Sequence, residues 1–183
     1  KATPVEDSNR VYLTIDEIRI LAKSECRDER LKKAFLFSCL SGLRISDIQR
    51  VQWNNLTKTT DGNYEITLIM KKTRKPITIP INSDAINLLG DIKKGPERIF
   101  SGIKYSANLN NILCQWVLMN GIQKHITWHN ARHTFACLLI ASGTDIYTVS
   151  KLLGHKDITT TQIYSKVMDE SKRTAINNLP SFG

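Results

Sequence analysis

The feature that most constrains the fold of this chain is a change in the spacing of its apolar residues between residues 64 and 81. Two short runs there place an apolar side chain at every second position: Tyr64, Ile66, Leu68 and Met70, then Ile77, Ile79 and Ile81. Such alternation is typical of β-strands, and the turn between the runs, residues 71–76, is strongly cationic. The pattern predicts one β-hairpin, and Pro76 and Pro80, which have no amide proton, favour an edge position for it.

In the rest of the chain the apolar spacing predicts helices. Thr14 and Glu17 have the spacing of a capping box at the start of the first helix, and Leu13 and Ile18 that of a hydrophobic staple. Gly42 is a natural left-handed end for the second helix. The predicted helices cover residues 15 to about 24, about 27 to 42, a short segment capped by Ser46 from Asp47 to about Val51, and residues of about 84–90, 107–119, 128–141, 146–153 and 159–168.

The predicted fold class is therefore mainly α with a small antiparallel β-sheet (α+β). The 183 residues are 41% hydrophobic and 23% charged, which is typical of a soluble globular domain, and no interior linker divides them. We predict a single domain over residues 1–183 that ends in a tail of about 175–183. No apolar run approaches the roughly 18–20 residues that span a bilayer, and the first residues lack the layout of a signal peptide. We expect a cytoplasmic protein without membrane partners.

The charge of the chain points to a polyanionic partner. Its 26 Lys and Arg outnumber 17 Asp and Glu, which gives a net charge of +9 at pH 7. Nucleic acid and an acidic membrane surface both fit this balance, as does a basic domain with neither partner.

The motif richest in chemistry is T-W-H-N-A-R-H-T-F, residues 127–135. If Thr127 caps a helix, His129, Arg132 and His133 project from one face, which is directed into a cleft or towards solvent. The two histidines have a spacing that zinc uses, but the positive charge of Arg132 between them would repel a cation. Arg beside His suits a phosphate better. Structural or solvated histidines remain the alternative.

Three further segments carry candidate site residues. Arg44 lies in the turn S-G-L-R-I-S-D with Asp47 three positions later, and Tyr164 follows His155 by nine residues. Four cations occupy the five positions 71–75 at the hairpin tip. Taken singly, these features are also typical of an interhelical salt bridge, a packed tyrosine and a solvated charged loop.

In combination the motifs resemble one family closely. The chain has an Arg in G-L-R-x-S-D, a hairpin Lys followed by P-x-x-I-P, H-x-x-R-H on a helix, then L-G-H and a Tyr nine residues after that His. This set is similar to the catalytic domain of the tyrosine recombinases, also called the phage integrase family. The resemblance runs from about Thr14 to Lys166 with the motifs in the family's order, and it implies the fold of that catalytic domain.

The resemblance implies a DNA strand cleavage and religation enzyme. By this resemblance, Tyr164 would attack the phosphorus of a phosphodiester, form a 3′-phosphotyrosine link and release a 5′-hydroxyl. Asp47 would orient a neighbouring cationic or His group, and His133 would support the site from behind the direct participants. The implied catalytic residues are Arg44, Lys72, His129, Arg132, His155 and Tyr164.

The chemistry expected of phosphoryl transfer agrees with these roles. Arg44 and Arg132 can offer paired donors to the nonbridging oxygens, which gain negative charge in the transition state. His155 would donate to the same oxygens. His129 would accept the Tyr164 proton or orient a nonbridging oxygen.

The hairpin tip would supply the proton for the leaving group. The pattern K-T before the turn favours Lys72 as the general acid over its neighbours. Lys71, Arg74 and Lys75 would then contact DNA.

The resemblance also implies partners. It predicts double-stranded DNA as substrate, with no metal and no nucleotide cofactor. It predicts a monomer in solution and a homotetramer on DNA with exchange of the C-terminal tails, although a tail folded onto its own domain fits equally. Because the N-terminal DNA-binding domain of the family is missing from these residues, we expect weak and unselective DNA binding.

Two alternatives remain open within this interpretation. A type IB topoisomerase uses a similar catalytic set and relaxes DNA without exchanging partners. A DNA-binding module without catalysis is the other, for which an absent Tyr or Arg would be the mark. From the resemblance we expect the integrase of a bacterial mobile element, which would be associated with the nucleoid when it is bound to DNA.

Overall fold

A computed structural model describes residues 11–164 and, beyond them, residues 169, 172, 176 and 177. Over residues 11–164 the chain forms seven α-helices, one three-stranded sheet and two short 3-10 segments, Trp53–Asn55 and Ile158–Tyr164. The helices are α1 Ile15–Lys23, α2 Glu29–Ser41, α3 Ile45–Ile48, α4 Ser83–Leu89, α5 Ala107–Met119, α6 Trp128–Ala141 and α7 Ile146–Leu152. The strands are β1 Leu56–Lys58, β2 Tyr64–Ile69 and β3 Pro76–Ile81.

The first two helices begin and end where local chemistry predicts. The Glu17 amide donates to Thr14 Oγ1 at 3.3 Å and the Thr14 amide to Glu17 Oε2 at 2.7 Å, which completes the capping box of α1. The Asp28 carboxylate accepts from two amides of the first turn of α2. That helix ends at Gly42, whose φ of 68° lies in the left-handed region.

Three elements differ from the predicted ones. Ser46 lies inside α3 and does not cap it, because the Arg44 carbonyl already accepts the amides of Asp47 and Ile48 at 2.8 and 2.9 Å. The helix predicted over 159–168 is a 3-10 segment as far as Tyr164, where a run of β-branched threonines disfavours α-helix. Residues 165–168 and most of the predicted tail, about 175–183, lie outside the described residues.

The sheet is antiparallel in the order β1, β2, β3. Opposite each other across the hairpin are Ile66 and Ile79, and Leu68 and Ile77. β3 is an edge strand with Pro76 and Pro80, as the missing amide protons predicted. β1 was not predicted, because three residues are too few to show alternation.

Helix α2 forms the centre of the main core and packs against α1, α3, α4, α5, α6 and β3. The ring of Phe35 is fully buried there, with Trp116 and Trp128 edge-on to it at centroid distances of 6.5 and 5.7 Å. A second, smaller cluster joins the second half of α6 to α7 and to Tyr164. In the part of the chain that is described, no helix is both long and apolar enough to cross a bilayer.

Gly42 is required for the contact between the end of α2 and helix α6. A Cβ at this position would lie 2.5 Å from Phe135 Cδ1. We expect Gly42→Ala to lower the free energy of unfolding by about 2–4 kcal/mol, because the strained backbone and the overpacked ring add. Urea denaturation measures the loss.

Gly121→Ala is the matched control for this prediction. Gly121 has a φ of +79°, and a Cβ added there would meet nothing within 4 Å among the described residues. Its loss should reflect backbone strain alone, about 1–2 kcal/mol. Equal losses in the free energy of unfolding for the two variants would show that the contact with Phe135 adds nothing to the cost of the substitution at Gly42.

Candidate active site

Arg132 on α6 lies at the centre of the candidate site. Its side chain is buried, with 7% of the residue exposed. Nη1 donates to the Gly42 carbonyl at 2.9 Å, and Nη2 donates to the Leu153 carbonyl. These carbonyls belong to the ends of α2 and α7, so the guanidinium joins three helices. A guanidinium has five N–H donors, and within the described residues these two bonds leave others for a substrate.

A second guanidinium lies close to the first. Arg44 caps α3 with its backbone, is half-buried, and directs Nη1 at Met70 Sδ, 3.6 Å away. Burial, and then the charge of Arg44, lower the pKa of Arg132 to about 9. Burial also lowers the pKa of Arg44, against an opposing effect of Asp47. One buried and one half-buried positive charge in this arrangement form a site that an anion would stabilise.

His155 faces the same charges from the loop after α7. Burial lowers its pKa to about 4, and the charges of Arg132, Arg44 and Lys72 add to this effect. The imidazole is therefore neutral at pH 7. Its Nδ1 lies 2.8 Å from the hydroxyl oxygen of Thr161 in the 3-10 segment, which fixes the orientation of the ring.

The hairpin tip is held to α3 by Asp47. This carboxylate is 2% exposed, and its Oδ1 accepts from the backbone amide of Lys71 at 2.8 Å. Asp47 was expected to orient a neighbouring cationic or His group; its charge acts on Arg44, and its described hydrogen bond reaches the backbone of the turn that carries Lys72. The side chains of Lys71, Lys72, Arg74 and Lys75 are exposed.

Met70 brings three parts of the site together. Its sulfur contacts Arg44. Its methyl group lies against Gly154, where an added Cβ would be only 2.3 Å from Met70 Cε. The glycine of L-G-H therefore allows the loop before His155 to approach the base of the hairpin. Sequence reasoning assigned Met70 only to a strand, since alternation carries no information about what a strand end touches.

Tyr164 is buried at the end of the 3-10 segment, with 4% of the residue exposed. Its hydroxyl oxygen lies 2.6 Å from Nδ1 of His133. The ring of His129 lies edge-on to that of His133, with 4.7 Å between centroids. His133, which was expected behind the direct participants, is thus in direct contact with the predicted nucleophile.

The predicted His/Arg/His face of α6 is mostly inside the protein. Arg132 and His133 are each 7% exposed, and His129 is exposed. The packing of α7 against α6, and the contact of Tyr164 with His133, account for this burial. Among the residues that the structure describes, no group of three or more His, Cys, Asp or Glu could hold a metal ion.

Comparison with known proteins identifies the family. The sequence model described as the Phage integrase family matches residues 12–171. The chain belongs to this family. The resemblance on which the sequence analysis relied is confirmed.

Curated relatives within the family are longer than this chain. It is 30% identical over 177 residues to a tyrosine recombinase of Pseudothermotoga lettingae, covering 92% of this chain and 60% of that protein. It is 32% identical over 177 residues to tyrosine recombinase XerC of Rickettsia bellii, with 90% and 56% covered. The chain thus spans less than two thirds of the length of these relatives.

Solved structures confirm the predicted fold class. The catalytic domain of bacteriophage HP1 integrase matches with a TM-score of 0.65 at 24% identity, covering 93% of this chain and 95% of that one. XerH site-specific recombinase bound to a palindromic difH substrate matches with a TM-score of 0.71 at 20% identity, covering 92% and 53%. At these identities the likeness concerns the fold, which is that of a tyrosine recombinase catalytic domain.

The surroundings of His155 predict an unusual titration. Because burial and three cations disfavour its charged form, we expect the NMR signals of its ring to titrate near pH 4. Comparison with the spectrum of His155→Asn assigns the signals. A midpoint at the ordinary value of 6.5 or above would contradict the arrangement of charges.

Proposed function

We propose that this chain is the catalytic domain of a site-specific tyrosine recombinase, which cleaves and rejoins DNA strands through a 3′-phosphotyrosine intermediate. The observation that carries the proposal is that the buried guanidinium of Arg132 lies near both the half-buried guanidinium of Arg44 and the buried Tyr164. Tyr164 is close enough to Arg132 for its charge to influence the pKa of that guanidinium. Membership of the phage integrase family supports the same conclusion.

The proposed substrate is double-stranded DNA. The net charge of +9 and the exposed cations of the hairpin turn suit a phosphate backbone. The XerH structure with this fold is bound to its difH substrate. Lys71, Arg74 and Lys75 are proposed to contact phosphates next to the scissile one and so to position the duplex.

A phosphodiester between the two guanidiniums explains their arrangement. Its nonbridging oxygens accept from Arg44 and Arg132, and they gain negative charge in the transition state. His155, neutral at pH 7, donates from Nε2 when its Nδ1 accepts from the Thr161 hydroxyl. His129, at the exposed edge of the cluster, is proposed to orient a nonbridging oxygen. No step requires a metal ion or a nucleotide.

Lys72 is proposed to protonate the departing 5′-oxygen. It is close enough to His155 to lower the pKa of that imidazole, and it lies on a turn that Asp47 holds in place. The ammonium therefore acts on the same imidazole as the two guanidiniums do. Lys72 would take its proton back when the 5′-hydroxyl attacks during religation.

The assembly is proposed to be a homotetramer on DNA that exchanges C-terminal tails, with a monomer in solution. Residues 1–183 are proposed to form one catalytic domain. Weak DNA binding by this domain alone is expected, with a salt slope of about −0.9 per phosphate contact.

The nucleophile is tested by covalent capture. The chain is incubated with a pool of duplexes that carry one nick and randomised flanking sequence. Cleavage near the nick releases a short fragment, and the loss of this fragment prevents religation. EDTA is present because no step is expected to need a metal ion. We expect a denaturation-resistant protein–DNA adduct with the native sequence and none with Tyr164→Phe.

Tyr105→Phe is the control, since this exposed tyrosine lies outside the cluster. An adduct with Tyr164→Phe would assign the nucleophile elsewhere. Absence of any adduct with the native chain would reject strand cleavage by this domain. Relaxation of supercoiled DNA without strand exchange between duplexes would instead favour the topoisomerase alternative.

A sulfur leaving group tests the role of Lys72. We expect Lys72→Ala to slow cleavage of ordinary DNA by about 10²–10⁴-fold. A bridging 5′-phosphorothiolate should restore most of this rate, because a thiolate leaves without a proton. Adduct formation over time measures both rates.

Lys71→Ala is the matched variant from the same turn. Any defect that it causes should be the same for oxygen and sulfur leaving groups, since a phosphate contact does not depend on the leaving atom. If sulfur rescued Lys71→Ala and not Lys72→Ala, the general acid would be Lys71.

A further inference from the structure

We propose that His133 is the group that receives the proton of the Tyr164 hydroxyl when that oxygen attacks phosphorus. This inference rests on the proposed recombinase function and adds a catalytic residue to it. From the sequence, His129 was expected either to accept this proton or to orient a nonbridging oxygen, with His133 as a support.

The contact that carries the inference joins two separate elements. Nδ1 of His133, on α6, lies 2.6 Å from the hydroxyl oxygen of Tyr164, which is 31 residues later and ends the 3-10 segment. Both residues are buried, at 7% and 4% exposure. A hydrogen bond of this length between buried groups positions the proton for transfer without an intervening water.

The other described histidines of the cluster suit different tasks. Nδ1 of His155 is engaged with Thr161, and its low pKa of about 4 makes the imidazole a poor proton acceptor. His129 is exposed and lies edge-on to His133, so it is the outer member of the pair. His133 is the member whose ring nitrogen is shown in contact with the reacting oxygen.

The charges around the pair favour transfer only when substrate is present. Arg132, beside His133 on α6, attracts the phenolate that forms on Tyr164. Arg44 and Asp47 act on Arg132 from the α3 side, and His129 lies edge-on to His133 from the previous turn of α6. A phosphate bound by the guanidiniums supplies the negative charge that a new imidazolium requires. Proton transfer is therefore coupled to the presence of the scissile phosphate.

The step balances in both directions. During cleavage the Tyr164 oxygen forms a bond to phosphorus, its proton passes to His133 Nδ1, and the bond from phosphorus to the 5′-oxygen breaks. That oxygen takes a proton from Lys72. During religation the 5′-hydroxyl returns its proton to Lys72, and the His133 imidazolium returns its proton to Tyr164.

The first test separates proton acceptance from positioning. His133→Asn keeps an acceptor oxygen near the place of Nδ1 but cannot hold a proton. We expect it to bind DNA like the native chain and to form the Tyr164 adduct about 10²–10⁴-fold more slowly. The rise of the cleavage rate with pH that a basic imidazole causes should also disappear.

His125→Asn is the matched control, because this histidine is exposed and lies outside the site. It should keep the native rate and pH profile. Native rate and profile in His133→Asn would overturn the inference while the native adduct upheld the proposed function. Absence of an adduct with the native chain would reject the proposed function and the inference together.

The second test needs no substitution at His133, so it does not depend on whether a variant folds. ¹⁵N NMR of the native chain distinguishes a ring that carries its proton on Nε2 from one that carries it on Nδ1. The inference requires that Nδ1 carry no proton and that its ¹⁵N resonance shift in Tyr164→Phe. A proton on Nδ1 would make His133 the donor in this bond and would overturn the inference.

Discussion

The rest of the structure depends on the way in which Arg132 is held inside the protein. A buried guanidinium is expensive unless its donors are satisfied. Here two donors reach the Gly42 and Leu153 carbonyls, at the C-terminal ends of α2 and α7, where the helix dipoles favour a positive charge. The same two bonds fix the guanidinium relative to both helices. The two hydrogen bonds that hold the positive charge in the site therefore also connect α6 to α2 and α7.

Small residues allow these elements to approach closely enough. Gly42 ends α2 and leaves room for the Phe135 ring, and Gly154 leaves room for the Met70 methyl group. Because Met70 also contacts Arg44, the hairpin, the α2–α3 turn and the loop before His155 share one point of contact. Packed contacts of the core thus help to set the positions of side chains on these three elements.

Local signals explain which parts of the fold could be predicted. The α1 capping box, the Gly42 terminus and the alternation of β2 and β3 each depend on residues close in sequence. The run of threonines before Tyr164 was a local signal against an α-helix. The bond from Tyr164 to His133, 31 residues away, leaves no trace in the local sequence. A helical wheel placed His129 and His133 on one face, but it contains no information on which of them another element covers.

The electrostatics of the site explain why it is suited to a transient anion. Burial first, and then the neighbouring cations, lower the pKa of Arg132 to about 9 and that of His155 to about 4, so the positive charges of the site are both desolvated and mutually repelling. The packing of α2, α6 and α7 compensates for this repulsion. The proposed phosphodiester would offset this repulsion, and a phosphate that gains charge in its transition state would offset more of it. Because the donors are already in place when the negative charge develops, they would stabilise the transition state more than the bound substrate.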